Sequence, residues 1–355
     1  MAAVLRPEES EFLEDGSMKQ AIMIAPGTIE FRDIPKPSPG RGQILIRIRR
    51  IGICGSDIHV NHGKHPFTSY PVIQGHEFSG VIESVGKGVT KLRVGMPVTA
   101  TPQEVCGTCA PCRRGDYHIC DHLKVRGFQA PGCAQEWFVT EADKIVPLPA
   151  AFTFEQGALV EPVAVGVHSV ARAGRLAGRN VAVLGAGPIG NLVGQVARSQ
   201  GAKVLITDIS DFRLGVAVRC RLKAVSNANA ESLAEASGRV FGKSGFDTVF
   251  ECAGVESTLA AAIETIQKGG TIVVVGVFGE HPRVNVGFVQ DRELTLVGTL
   301  MYQYRDFLKA VGLMKAGRVV TEPLDSRHFA FADYPEAYAF VDAQADKSMK
   351  VFIDL

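Results

Sequence analysis

The sequence predicts an α/β protein with two unlike parts. One is a doubly wound parallel sheet of six strands, and the other is a β-rich portion carrying a metal-stapled lobe. Three observations predict this. Between Asn180 and Val297, short apolar runs are separated by helix-like segments. Before about Phe154, apolar and polar residues alternate between Gly and Pro signals. Within that first portion, Cys106, Cys109, Cys112 and Cys120 stand at C-x2-C-x2-C-x7-C spacing.

In chain order, residues 1–17 are acidic and lack an apolar core, so they read as a disordered tail and not as a secretory signal. Met18 begins the first strand-like pattern. Gly42 to Cys54 and Phe78 to Gly86 alternate as half-buried strands do. Pro97, Pro102, Pro111, Pro131, Pro147 and Pro149 then mark a loop-rich region without long helices. Inside it, four soft thiolates on tight turns suit a closed tetrahedral zinc site, which holds a lobe together and does no chemistry.

Helical sequence runs from Glu155 to Ala177. Six apolar runs follow: Asn180 to Leu184, Lys203 to Thr207, Leu222 to Val225, Phe246 to Phe250, Thr271 to Val275 and Leu294 to Val297. Runs of this length suit parallel strands buried on both faces. Their alternation with helices predicts the doubly wound sheet. A helix at about Asp306 to Lys315 and a strand within Lys347 to Asp354 complete the pattern.

A chain of 355 residues holds about two domains. Its net charge of +1 gives no electrostatic case for nucleic acid or an anionic membrane. The apolar runs are far too short to span a bilayer. Four of the eight cysteines sit in one metal-spaced loop, which favours a reducing cytoplasm over a disulfide-bonded secreted protein.

The run Asn180 to Leu184 leads into Gly185-Ala186-Gly187-Pro188-Ile189-Gly190, a G-x-G-x-x-G pattern opening a helix over Pro188 to Ser199. Strand before and helix after are the context that gives this weak motif meaning. Gly185 permits the tight turn, Gly187 lets a pyrophosphate approach, and Gly190 lets helix and strand pack closely. Pro188 and Ile189 open the helix, whose free N–H groups favour phosphate. Asp208 ends the second strand, in the window where an acid accepts hydrogen bonds from ribose hydroxyls. A carboxylate there favours NAD over NADP. Arg213 works the other way, because arginine accommodates a 2′-phosphate. The alternative for Asp208 is a capping role.

A second set of metal donors is scattered through the chain: Cys54 at a strand end, His76 and Glu77 together, and Glu161 where the chain passes toward the nucleotide domain. Thiolate, imidazole and carboxylate are all competent zinc ligands, and three of them plus water make an open, Lewis-acidic site. Cys133, Cys220 and Cys252 match no metal spacing and read as small buried hydrophobes.

Four motifs together resemble the zinc-containing medium-chain alcohol dehydrogenases: Gly75 to Gly86 (GHEFSGVIESVG), the four-cysteine lobe, Gly185 to Gly190, and Cys54 to His59 (CGSDIH). The segment Ala158 to His168 (ALVEPVAVGVH) is similar to the sorbitol, or polyol, branch, which has glutamate where other members have a third ligand cysteine. The resemblance covers about Met18 to Leu355.

It implies a GroES-like catalytic domain from both chain ends, 18–160 and 300–355, around a Rossmann domain at 161–299. It implies two Zn2+ per subunit and NAD. Cys54 and His76 would bind catalytic zinc, with Glu161 bound directly or through water and Glu77 an outer or exchangeable ligand. Ser56 would hydrogen-bond the substrate oxygen, and His59 would relay the proton to solvent. The implied reaction moves a hydride between a secondary alcohol of a polyol, sugar alcohol or sugar acid and NAD. Threonine or butanediol dehydrogenation and a non-catalytic nucleotide-binding role are the alternatives. A homodimer or homotetramer is implied, with no nucleic-acid or membrane partner.

Two departures from the family pattern stand out. Gly95-Met96-Pro97-Val98 lacks the usual acid. Gly55 stands where other members often have a basic residue near the pyrophosphate, so its binding must rely on backbone groups or another base, for which Lys350 is a weak candidate.

Overall fold

The computed structural model describes residues 16–344 and 346–355. The chain opens with an antiparallel hairpin of β1 (Ser17–Ala25) and β2 (Thr28–Pro35). Ser17, the last residue of the expected tail, already pairs with Pro35 in this hairpin. Residues 1–15 of that tail lie outside the described residues.

Strand β3 (Gln43–Gly52) runs into the short helix α1 (Gly55–Asn61), and β4 (Glu77–Val85) returns antiparallel to β3. Then come β5 (Pro97–Ala100) and β6 (Gln103–Glu104), helix α2 (Ala110–Arg113) with a 3-10 turn at Tyr117–Ile119, and β7 (Lys124–Val125). This is the proline-rich stretch, and it holds no long helix. Strands β8 (Trp137–Glu141) and β9 (Ile145–Pro147) close the first portion.

The helical stretch expected from Glu155 to Ala177 is two helices, α3 (Phe154–Ala158) and α4 (Val160–Arg172). Pro162 has no N–H to give to Ala158, so the chain breaks at Leu159. Thr153 starts α3 with a reciprocal capping box to Gln156.

Next come β10 (Asn180–Leu184), α5 (Pro188–Ser199), β11 (Lys203–Asp208), α6 (Asp211–Arg219), β12 (Ala224–Asn227), α7 (Leu233–Phe241), β13 (Thr248–Glu251), α8 (Glu256–Thr265), β14 (Thr271–Val274), α9 (Val286–Asp291) and β15 (Thr295–Gly298). The six strands pair in parallel in the order β12-β11-β10-β13-β14-β15. This is the doubly wound order whose ligand crevice lies at the carboxyl ends of β10 and β13. Val181, Val183, Ile206 and Phe250 face one core, while Ala182, Leu184, Leu205 and Val249 face the other.

Two strands start two residues later than their apolar runs. Leu222 is buried, yet it follows Arg221 at φ 67°, so it packs in a turn before β12. Phe246 is fully buried but precedes β13. Apolar runs mark burial, and pairing starts where the backbone extends.

The chain ends with α10 (Tyr304–Lys315), β16 (Asp325–Ala330), α11 (Tyr334–Ala343) and β17 (Lys350–Asp354). β17 inserts between β16 and β3, so one sheet runs β16-β17-β3-β4-β5-β9, with β8 also on β3. That sheet draws strands from both sides of the nucleotide-binding fold. Its core gathers Ile44, Ile46, Ile51, Phe78, Val351 and Ile353. Helix α10 instead packs on α4, burying Phe307, Ala310 and Met314 in the nucleotide-side core. Among the described residues, no helix is long and apolar enough to cross a membrane.

Candidate active site

Cys54 is the residue at which β3 gives way to α1, and it serves as that helix's N-cap. Asp57, three residues on, reaches back to accept the Cys54 N–H at 2.9 Å. Its other oxygen lies 3.6 Å from His76 Nδ1. The Asp57 side of the imidazole is therefore Nδ1, which leaves Nε2 for a metal ion. Gln74 steadies Asp57 through its carbonyl at 3.3 Å, and Tyr338 donates to Gln74 at 2.8 Å. His76 and Glu77 are brought in at the start of β4.

Donor atoms of Cys54, His76 and Glu77 all lie within 4.8 Å of one another. Glu161, in the first turn of α4, is buried next to them but stands outside that cluster. Its Oε1 accepts a hydrogen bond from the Tyr302 hydroxyl. Lys350 is buried, with its ammonium 2.5 Å from Glu77 and 3.2 Å from the Ile53 carbonyl. The sequence reading offered Lys350 to the pyrophosphate. The structure corrects that, because the ammonium is committed to Glu77.

The electrostatics are those of a cation site. Burial disfavours an imidazolium at His76, yet Asp57, Cys54 and Glu161 outweigh it and hold the ring well above the ordinary imidazole value. Burial and the neighbouring Glu77 raise Glu161 to about 7, against the pull of His76 and the Tyr302 hydrogen bond. Asp57, Glu77, Glu161 and the Cys54 thiol thus share one lysine. Buried charge of one sign needs compensation, and a divalent ion taking sulfur, nitrogen and oxygen donors supplies it.

Ser56 sits half-buried in the first turn of α1, and His59 is exposed in the last. Three residues apart, they share one helix face. His65 stacks on Phe128 at 4.7 Å, and Phe128 lies 5.0 Å from the His76 ring. Lys64 is exposed, while Tyr70 donates to the Val60 carbonyl.

The four lobe cysteines also converge within 4.8 Å. Backbone N–H groups of Thr108 and Cys109 point at Cys106 Sγ at 3.4 and 3.3 Å. A hydrogen bond from the Thr108 side chain, followed by these two backbone bonds, brings Cys106 down to about 5. Burial and the neighbouring sulfurs push Cys112 up to about 12. Four such thiolates cannot coexist without a cation, and zinc fits the set. Cys133 and Cys220 are buried, and burial pushes both thiols up, Cys220 to about 11. Cys252 is half-buried, and burial raises its thiol too.

At the sheet crevice, Gly185 takes φ 98° and Gly187 caps α5 with open space where a side chain would stand. Pro188 and Ile189 follow as the first helical residues, half-buried. A Cβ on Gly190 would fall 1.9 Å from the Gly185 carbonyl. Gly190→Ala is therefore expected to weaken dinucleotide binding and to cost about 1–3 kcal/mol by overpacking. A fluorescence titration and a thermal melt check this, and parental values in both would contradict it.

Asp208 lies where the motif placed it, but its carboxylate is already engaged. It accepts the Ala186 N–H at 2.6 Å and the Ser210 N–H at 2.9 Å. It thus ties the glycine loop to the start of α6. Arg213 Nη1 is 4.0 Å from the same carboxylate.

Sequence reasoning missed Asp57, Phe128 and Tyr302. Asp57 carried a faint signal, an acid three residues after an N-cap. Tyr302 lies 141 positions from Glu161 and carried none.

Comparison with known proteins agrees with this geometry. Residues 40–150 match the family described as alcohol dehydrogenase GroES-like domain. Residues 188–316 match the family described as zinc-binding dehydrogenase. The chain is 35% identical to 2-dehydro-3-deoxy-L-galactonate 5-dehydrogenase of Pseudoalteromonas atlantica, covering 89% of this chain and 93% of the relative. It is 32% identical to a sorbitol dehydrogenase of Halalkalibacterium halodurans, covering 95% and 100%. A Sinorhizobium meliloti 1021 chain solved with bound NADP superposes with a TM-score of 0.87 at 29% identity, covering 96% of this chain and 99% of that one. With two cysteine-containing clusters able to hold a metal ion and a doubly wound sheet in one chain, the protein belongs to the zinc-containing medium-chain alcohol dehydrogenase family, in its polyol and sugar-acid branch.

Proposed function

We propose that the protein oxidises a secondary alcohol of a polyol, sugar alcohol or sugar acid, reversibly, with NAD as hydride acceptor. The observation that carries this is the convergence of Cys54, His76 and Glu77 within 4.8 Å, with Glu161 buried beside them. When bound, zinc supplies a Lewis acid that acidifies an alcohol, and nicotinamide supplies the hydride acceptor.

The chain's own residues do the rest. Cys54 and His76 hold the ion, with Asp57 orienting His76 from behind. Lys350 neutralises Glu77, which keeps that carboxylate an exchangeable donor. Ser56 hydrogen-bonds the substrate hydroxyl and takes up its proton while releasing its own toward His59. His59, one turn on, passes the proton to solvent. Phe128 and His65 form the wall beside His76 that meets the rest of the substrate.

On the cofactor side, Gly185, Gly187, Pro188, Ile189 and Gly190 cradle the pyrophosphate, and Asp208 meets the ribose with Arg213 beside it. A carboxylate facing a 2′-phosphate costs on the order of 1–3 kcal/mol at an effective dielectric of ~20. NAD should therefore be preferred to NADP by roughly fivefold to 150-fold.

The same reading divides the chain into 18–160 with 300–355 and 161–299. It places the subunit contact of a dimer or tetramer along β15, an outer strand with Leu296 41% exposed. It also places the protein in a reducing cytoplasm, where the lobe thiols stay available to metal.

The test is a panel of polyols, sugar acids, threonine and 2,3-butanediol, assayed for reduced cofactor with NAD and NADP side by side. Turnover of polyols or sugar acids with NAD is expected. Activity confined to simple primary alcohols, or a preference for NADP, would overturn the corresponding half of the proposal.

A further inference from the structure

Three consecutive residues leading from β15 into α10 connect the cysteine lobe to Glu161. Tyr302 is buried, and its hydroxyl donates to Glu161. Its carbonyl accepts from Gln103 Nε2 at 2.8 Å, at the base of the lobe. Gln303 Nε2 donates to the Gly115 carbonyl at 3.1 Å and lies 3.0 Å from His118 Nδ1. The Tyr304 N–H donates to the Tyr117 hydroxyl at 2.7 Å. Gly115, Tyr117 and His118 all lie between Cys112 and Cys120, in the loop that closes the four-sulfur cluster.

A second link reaches the same helix. Asp306 accepts the Gln303 N–H at 2.8 Å and pairs with His168 Nδ1 at 2.9 Å. His168 lies on α4, seven residues after Glu161 and so on the same face. The His118 ring meets the His168 ring edge-on at 4.7 Å. Residues 302–306 therefore grip α4 at both points, and the lobe grips residues 302–304.

We propose that the four-cysteine lobe positions Glu161. It latches residues 302–304 so that the Tyr302 hydroxyl holds the Glu161 carboxylate back from the Cys54, His76 and Glu77 cluster. The lobe ion thus does no chemistry itself but fixes how many protein donors crowd the other site. Tyr302 is a positioning residue, acting through Glu161. This inference rests on the catalytic-zinc reading given above.

The experiment replaces the catalytic zinc of the holoenzyme with Co(II) and reads its visible absorption, alongside metal content and steady-state kinetics. Tyr302→Phe is expected to keep both metals and the parental circular dichroism. Its Co(II) d–d bands should shift and weaken as Glu161 moves onto the ion. Its kcat should fall about ten- to a hundredfold, as happens when partners of metal ligands are removed, while KM changes far less. Tyr117→Phe removes only the lobe hydroxyl that accepts from Tyr304, at a half-buried position that folding tolerates. It should shift the bands in the same direction by a smaller amount.

Parental bands and kcat in Tyr302→Phe would overturn the role of Tyr302. Shifted bands in Tyr302→Phe with parental bands in Tyr117→Phe would overturn the role of the lobe. Should Tyr302→Phe fail to fold, Tyr117→Phe alone decides, parental bands counting against the latch. A parent enzyme inactive on every alcohol would defeat the functional reading, and the spectral comparison would still decide the latch.

Discussion

The Cys54→Ser protein is expected to lose one zinc per chain and about a thousandfold or more of its alcohol oxidation, while remaining folded. Lewis-acid stabilisation is worth several kcal/mol in the transition state, and each 1.36 kcal/mol is a factor of about ten in rate. A serine hydroxyl does not deprotonate as a thiol does, so it is a poor substitute donor. The fold should survive for a local reason. Cys54 is the N-cap of α1, with its N–H held by Asp57, and serine is among the favoured N-cap residues. The substitution therefore removes a metal donor while conserving, or improving, the helix start. Metal analysis, circular dichroism and dinucleotide titration check the three parts separately. Oxidation at the parental rate would remove the catalytic assignment.

Cys109→Ser should differ from Cys54→Ser in a large loss of stability. Cys109 Sγ lies 3.7 Å from Cys120 Sγ, and Cys109 is the N-cap residue of α2, a helix of only four residues. Structural zinc sites contribute on the order of 10 kcal/mol to the folding of small modules. Half of that, at roughly 2 °C per kcal/mol, lowers the melting temperature by about 10 °C. Zinc content should again fall by one per chain. Because the lobe grips residues 302–304, activity should fall as well, although the nearest active-site donor is untouched. Unchanged zinc content and melting would refute the prediction.

Much of this architecture was legible in the sequence because its causes are local. The helix Pro188–Ser199 begins and ends where glycine context and apolar period place it. The four-cysteine spacing needs only turns within fifteen residues. The six-stranded parallel sheet follows from short apolar runs alternating with helical segments. What stayed hidden depends on contacts between distant segments. Nothing near Tyr302 announces that its hydroxyl meets Glu161. Nothing near Lys350 announces Glu77, and its charge suggested a phosphate partner instead. Asp208 shows a third kind of limit. Its motif position was right, but its carboxylate also holds the glycine loop through Ala186, a second task that no spacing encodes.

The insertion of β17 beside β3 has a consequence for biosynthesis. A ribosome delivers Glu77 early and its counter-charge late, with 273 positions between Glu77 and Lys350. At about 5–20 residues per second, that interval is roughly a quarter of a minute to a minute. The nascent catalytic portion must wait, with an unbalanced carboxylate, while the whole nucleotide fold emerges and docks. A prematurely terminated product is then not a slow enzyme but an unfinished one, with a charge its interior cannot bury. Synthesis of β17 is in this way the last step in balancing the buried Cys54, His76 and Glu77 cluster.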